Sequence, residues 1–308
     1  MARLRVLLAA AMLFAAVGCV GTPAAPAPST SVIVPGSERS SPGPDPATPV
    51  ATPTTPAATP TTPVATPTTP VATPTPGRPT ASATAAPSPV SCTIPAALLG
   101  KDVSSMPTDR TVMALTFDGG ANDEGATRIL DTLASTNTPA TFFLTGQFAR
   151  AYPAQSRAIA QKHPVGNHSD THPDFTTLSD ADLRAQLSRG HASIEDATGV
   201  DARPYFRFPF GARDARTIRL VNAECYVPFR WTVDTLGWKG TSEGQSTETV
   251  LRRVFDGASP GGIVLMHLGS HPTDHSTLDA DALPGMIWGL TQRGYTLVAL
   301  DEVLPDRP

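Results

Sequence analysis

Proline spacing sets the first limit on what this chain can fold into. Between about Val20 and Val90 the sequence is dominated by Pro, Thr, Ala and Ser and holds no aromatic residue. A seven-residue unit repeats there, at 51–57, 58–64 and 65–71. Proline has no N–H to give to a helix or a sheet, and so little apolar surface accompanies it that ordering entropy is not offset. The unit is also too polar to stack into a solenoid. Residues 20–91 are therefore expected to be a disordered tether, which in extended polyproline form would reach about 200 Å.

Ahead of the tether, a short basic start (1–5) leads into an unbroken apolar and small-residue run (6–17). That run is too short for a bilayer-spanning helix and suits the core of a signal peptide, assigned to 1–19. It ends in Ala16-Val17-Gly18-Cys19, which resembles a bacterial lipobox. The resemblance implies lipidation at Cys19 and a membrane partner reached through that anchor; the alternative is plain secretion. Either route places the protein extracytoplasmically, with reach into the cell wall.

The remainder, 92–308, is long enough for one domain with a well-buried core. The formal net charge of the chain is −4 and no basic stripe with interleaved aromatics occurs, so nucleic acid is not an expected partner. Beyond Cys19 only Cys92 and Cys225 remain, and in an exported protein an even pair suggests a disulfide.

Within this domain apolar strand-like runs alternate with helical periodicity about seven times. Strands are predicted at 111–117, 140–144, 165–167, 205–208, 227–233, 262–266 and 295–299. Helices are predicted at 125–135, 147–162, from Ser179 onward, and at 213–224, 247–255 and 281–293. Such alternation implies parallel strands covered by helices, as a (β/α) barrel or, alternatively, an open doubly wound sheet. In both, ligands gather at the carboxyl ends of the strands. Ionisable residues fall at those ends: Asp118, His168 and His172, Arg207, Asp234 and His267. Ending so many buried strands in charge is costly without a shared site. His168 and His172, four apart with short polar residues between, have the spacing to turn two imidazoles onto one divalent cation such as zinc.

Five short motifs resemble those of the polysaccharide deacetylases (the NodB homology domain, carbohydrate esterase family 4). They are Thr116-Phe117-Asp118, His168-Ser169-Asp170-Thr171-His172, Arg207-Phe208-Pro209-Phe210-Gly211, Asp234-Thr235-Leu236-Gly237-Trp238 and Leu265-Met266-His267. The resemblance implies an α/β fold, a distorted NodB-like (β/α)7 barrel. It implies Asp118 as catalytic base, His267 as general acid and Arg207 as the partner that holds Asp118. It also implies His168 and His172 as metal ligands, and the Phe210 amide as an oxyanion donor. Phe210, Asp234 and Trp238 are candidate substrate-binding residues.

Two positions depart from the family pattern. Gly119 stands where a metal-binding aspartate is usual, so Asp123 is taken as the third ligand, with Asn122 the alternative; a helix cap is the structural alternative for Asp123. Gly237 replaces the carboxylate that would orient the acid histidine, a role for which Asp234 is the substitute candidate. The expected activity is metal-dependent removal of N-acetyl groups from N-acetylglucosamine-type residues of a surface polysaccharide. Peptidoglycan is the first substrate choice, with chitin-like chains or exopolysaccharide next. The alternatives are a catalytically silent carbohydrate-binding lipoprotein and an O-acetyl esterase.

Overall fold

The eight buried residues of β1 (Val112–Gly119) form the central strand of a parallel sheet. The computed structural model describes residues 92, 94–302 and 304, so the expected signal peptide, lipidated Cys19 and tether lie outside the described residues. In chain order, β1 is followed by β2 (Thr141–Leu144), β3 (Val165–Asn167), β4 (Tyr205–Phe206), β5 (Val227–Pro228), β6 (Val233–Asp234), β7 (Gly262–His267) and β8 (Thr296–Val298). The strand order is β5-β4-β3-β2-β1-β7-β6, with β8 paired to the first residues of β1. Strands covered on both faces need no polar side, which is why β1, β2 and β7 read as near-continuous apolar runs.

Helices α1 (Ala126–Ser135), α2 (Gly146–Ala151), α3 (Pro153–Ala160), α4 (Asp180–Thr198), α5 (Ala215–Ala223), α6 (Thr247–Asp256) and α7 (Leu278–Gln292) connect the strands. The result is the expected distorted (β/α)7 barrel, curled but not closed strand to strand. The segment from Val103 to Met106 lies along the opening. Val103 bridges Phe229, and Ser105 bridges Gly262. Cys92 is disulfide-bonded to Cys225, which ties the start of the folded domain to the turn before β5.

Two expected elements divide. The single helix expected over 147–162 breaks at Tyr152, because Pro153 has no N–H to continue α2 and instead begins α3. The single strand expected over 227–233 becomes β5, paired with β4, and β6, paired with β7. The carbonyls between them are turned out of the ladder: the Arg207 guanidinium donates to Phe229 O at 3.2 Å and to Arg230 O at 3.1 Å. Helix α4 begins as its sequence suggests, with the Ser179 hydroxyl accepting from the Asp182 amide, and ends at left-handed Gly199.

Candidate active site

β1 and β7 lie side by side in a register that pairs Asp118 with His267, so a carboxylate and an imidazole leave the same end of the sheet together. Asp118 is buried, and its Oδ1 accepts from Arg207 Nη1 at 2.7 Å. Arg207 is fully buried. Its Nη2 also donates to the Thr116 hydroxyl at 2.9 Å, and its guanidinium lies 4.2 Å over the Phe143 ring. Burial alone raises the pKa of Asp118. The adjacent Arg207, helped by His168 and His267, outweighs that effect and holds the carboxyl below its ordinary range.

β3 delivers the histidine loop. Gly146 N and Gln147 N, at the start of α2, donate to Ser169 O and Asp170 O. The Gln186 side chain of α4 accepts from the Asp170 and Thr171 amides, both at 3.0 Å. The Asp170 carboxylate is gripped by Arg150 and Arg189. So fixed, the loop takes left-handed conformations at Ser169 (φ 73°) and His172 (φ 61°). The two imidazoles meet edge to face at 4.8 Å between centroids.

His168 Nδ1 lies 2.8 Å from the Arg207 carbonyl, which can only accept. The Nδ1 proton is thereby fixed, leaving the lone pair on Nε2. That nitrogen stands 3.4 Å from Asp118 Oδ2, so two acceptors face each other across a gap that water protons or a cation would satisfy. Burial lowers the pKa of both histidines. For His172 neighbouring His168 adds to the effect, bringing it to about 4, so both rings are neutral near pH 7. Neutral imidazoles with one ring nitrogen orientated by the backbone fit a divalent cation.

The third expected ligand is not brought to them. Among the described residues no three His, Cys, Asp or Glu side chains are arranged to hold a metal ion. The loop after β1 is drawn instead towards β7. Gly125 N donates to Leu268 O at 2.9 Å, and the Asn122 side chain both accepts from Ser270 N at 2.9 Å and donates to Ser270 O. Asn122 is thus spent on loop structure, and Asp123 contributes its carbonyl to the amide of Ala126. Gly119 is no vacant ligand position either. A Cβ there would lie 2.9 Å from Leu144 Cδ2 and 3.0 Å from Leu268 Cδ1, on an apolar side of the strand.

His267 differs from the histidine pair. Burial lowers its pKa, but Asp279 together with Asp118 and Asp234 outweighs this and raises it above the ordinary value. Asp279, in the first turn of α7, is 3% exposed and was not singled out from the sequence. Its Oδ2 accepts from His267 N at 2.8 Å and lies 3.7 Å from His267 Nδ1. Asp234, the carboxylate expected to stand in as the orienting group, caps its own turn by accepting from Leu236 N at 2.9 Å. The hint available in the sequence is the glycine at 237, which leaves His267 short of the carboxylate partner expected there.

Phe210 and Trp238 are rim residues, not core: they are 71% and 45% exposed. Phe210, at φ 58°, sets its ring 4.5 Å from that of His172, and Trp238 lies 6.5 Å from His267. His271 belongs to its own loop, near Asp274 at 3.3 Å, and His275 is exposed.

An ionised carboxylate paired with a raised-pKa histidine, beside two neutral imidazoles at the mouth of a parallel barrel, is apparatus for hydrolysis. The polysaccharide deacetylase family profile matches residues 105–227. A peptidoglycan-N-acetylglucosamine deacetylase of Bacillus cereus is 32% identical over 200 residues, 65% of this chain and 70% of the relative. A chitooligosaccharide deacetylase of Azorhizobium caulinodans is 30% identical over 62% of this chain and 85% of the relative. A solved CE4 family pseudoenzyme from Bacillus anthracis has a TM-score of 0.61 at 30% identity, covering 67% of this chain and 69% of that one. The chain belongs to the polysaccharide deacetylase family, and its class is that of a hydrolase.

Proposed function

We propose that this protein removes N-acetyl groups from N-acetylglucosamine-type residues of a cell-wall polysaccharide, peptidoglycan before chitin-like chains. The observation that carries this is the opposed perturbation of two register-paired groups: Asp118 is held ionised and His267 is biased towards its protonated form. The names of the similar Bacillus cereus and Azorhizobium caulinodans enzymes supply the substrate class. Action on a wall polymer accords with an extracytoplasmic location, reached through Cys19 and the tether.

Asp118 Oδ2, the oxygen not committed to Arg207, accepts the proton of a water that attacks the acetyl carbonyl carbon. Arg207 keeps the carboxylate ionised and orientated throughout. The Phe210 amide is the candidate donor to the oxyanion. As the C–N bond breaks, His267 gives its proton to the departing sugar nitrogen, leaving acetate and a free amine. His168 and His172 would hold a divalent cation such as zinc, which when bound supplies Lewis-acid polarisation and a more acidic water. Phe210 and Trp238 offer exposed ring faces on the two flanks for sugar stacking.

Acetate release from peptidoglycan fragments and from N-acetylglucosamine oligomers, with and without chelator, tests the proposal. Release from the oligomers, suppressed by chelator, is expected. A folded, zinc-loaded protein that binds the oligomers without releasing acetate would instead favour the silent carbohydrate binder, a reading supported by Gly119 and by likeness to a pseudoenzyme. Release from O-acetylated sugars alone would favour the esterase.

A further inference from the structure

Gly237 and Asp279 occupy one space. A Cβ built on Gly237 would lie 2.3 Å from Asp279 Oδ1 and 2.7 Å from Asp279 Cγ, closer than real atoms approach. Gly237 is not among the glycines with left-handed backbone, so nothing in its own conformation demands glycine. What excludes a side chain there is the Asp279 carboxylate, brought in by α7 from 42 residues further along the chain (279 − 237). Asp279 Oδ1 and His267 Nδ1 are buried and have no hydrogen-bond partner among the described residues. A buried carboxylate and a buried ring nitrogen without other partners, 3.7 Å from Oδ2 to Nδ1, are one small ring rotation from a charge-assisted bond.

We propose that Asp279 is the positioning residue of the acid histidine: from α7 it supplies the carboxylate that the Gly237 position lacks, and holds the His267 imidazole by its Nδ1–H. This rests on the proposed role of His267 as proton donor. The charged and titratable groups facing His267 are Asp118 on β1, Asp234 on β6, His168 and His172 beyond β3, and Asp279 on α7. Of the three carboxylates, Asp279 alone among the described residues reaches within 4.0 Å of Nδ1. A carboxylate there stabilises the imidazolium and leaves Nε2–H free to face a leaving nitrogen. The bond from His267 N–H to Oδ2 keeps the carboxylate beside the ring whichever way the ring turns.

Asp279→Asn separates this role from mere anchoring of the His267 backbone, because the amide oxygen still accepts from His267 N while the negative charge is gone. Its kcat is expected to fall about tenfold to hundredfold with little change in KM. The alkaline limb of its kcat–pH profile should move to lower pH. Independently of turnover, the His267 imidazole, followed by NMR in the metal-free protein and assigned by its absence in His267→Gln, should titrate at lower pH in Asp279→Asn than in the parent. Relocation is the second arm. Asp279→Ala is expected to lose activity, and Gly237→Asp with Asp279→Ala, returning a carboxylate to the vacated space, to regain most of it.

An unchanged His267 titration and alkaline limb in a folded Asp279→Asn would overturn the proposal, leaving Asp279 a backbone anchor. So would a folded double variant as impaired as Asp279→Ala. A parent protein that releases no acetate sinks the deacetylase reading instead, and the imidazole titration then still decides whether Asp279 governs His267.

Discussion

Arg207 and Asp118, 89 residues apart in sequence, form a buried ion pair at 2.7 Å in which the guanidinium makes three further bonds while Asp118 Oδ2 faces His168 Nε2. The other bonds of the guanidinium go to β1 and to the turn between β5 and β6, namely Thr116 Oγ, Phe229 O and Arg230 O. One side chain thus fixes Asp118 and also divides a strand. Arg207→Met would leave Asp118 as an uncompensated buried charge. A loss of about 3–5 kcal/mol in stability is expected from urea denaturation at pH 7, with acetate release from any folded fraction reduced at least about tenfold.

The pH dependence of that pair has a definite sign. Asp118 is held below its ordinary pKa in the fold, so its contribution is fully present above the unfolded value, about 3.9, and is lost as pH falls through the lower folded value. Asp118→Asn cannot titrate there. The stability difference between the parent and Asp118→Asn should therefore be constant near neutrality and shrink once pH drops below about 4. Urea midpoints at several pH values check this; a gap that widens on acidification contradicts it.

Metal content separates the members of the site. Asp118→Asn is expected to abolish turnover yet keep bound zinc, since the two imidazoles remain. His172→Ala should lose both. Asp123→Ala should keep its zinc, because that carboxyl is not gathered with His168 and His172. Zinc content after dialysis against buffered metal, measured on all three, decides the division. Loss of zinc in Asp123→Ala would restore the three-ligand set expected from the sequence.

Strand ends were the legible part of this site. Asp118, His168, Arg207 and His267 each follow a short apolar run, and a parallel sheet brings such ends together whatever their distance in sequence. The pairing of Asp118 with His267 follows from β1 and β7 being neighbours, which strand order within the sequence does not reveal. Asp279 was hidden for another reason. It lies on a helix that the sequence pattern starts only at Asp281, and only the packing of α7 against the loop after β6 brings it to His267. The direction of Asp123 was not legible, because a loop near a glycine can turn either way. The clasp between Asn122 and Ser270, which sets its direction, joins residues 148 apart. The break before Pro153 was legible from covalent chemistry alone, whereas the split between β5 and β6 depends on where Arg207 sends its hydrogens.

Support for the histidine loop comes from one amide side chain. Gln186, buried on α4, accepts from two successive loop amides and donates to the Thr171 hydroxyl at 2.9 Å. Gln186→Leu keeps the volume and removes the acceptor, so the Asp170 and Thr171 N–H groups lose their partner. The expected cost is about 1–3 kcal/mol in thermal or urea unfolding. Zinc affinity should fall roughly tenfold or more, as for other residues that orientate ligands. Calorimetric titration of zinc into the two proteins reads the second effect separately from the first.

The exposed rings at the rim are predicted to serve substrate and not the fold. Phe210 buries little of its apolar surface, so replacing it with alanine should move stability by no more than about 0.5 kcal/mol, whereas Trp238, more than half buried, should cost about 1–2 kcal/mol. Phe210→Ala leaves the left-handed backbone at 210, and with it the direction of the amide, so the chemical step is preserved. Sugar stacking, worth about 0.5–1.5 kcal/mol for an aromatic face, is what each variant gives up. KM for N-acetylglucosamine oligomers should therefore rise roughly twofold to tenfold in either variant while kcat stays near the parent value. A fall in kcat at constant KM would assign the ring concerned to the transition state, and a drop of several degrees in melting temperature for Phe210→Ala would return that ring to the core.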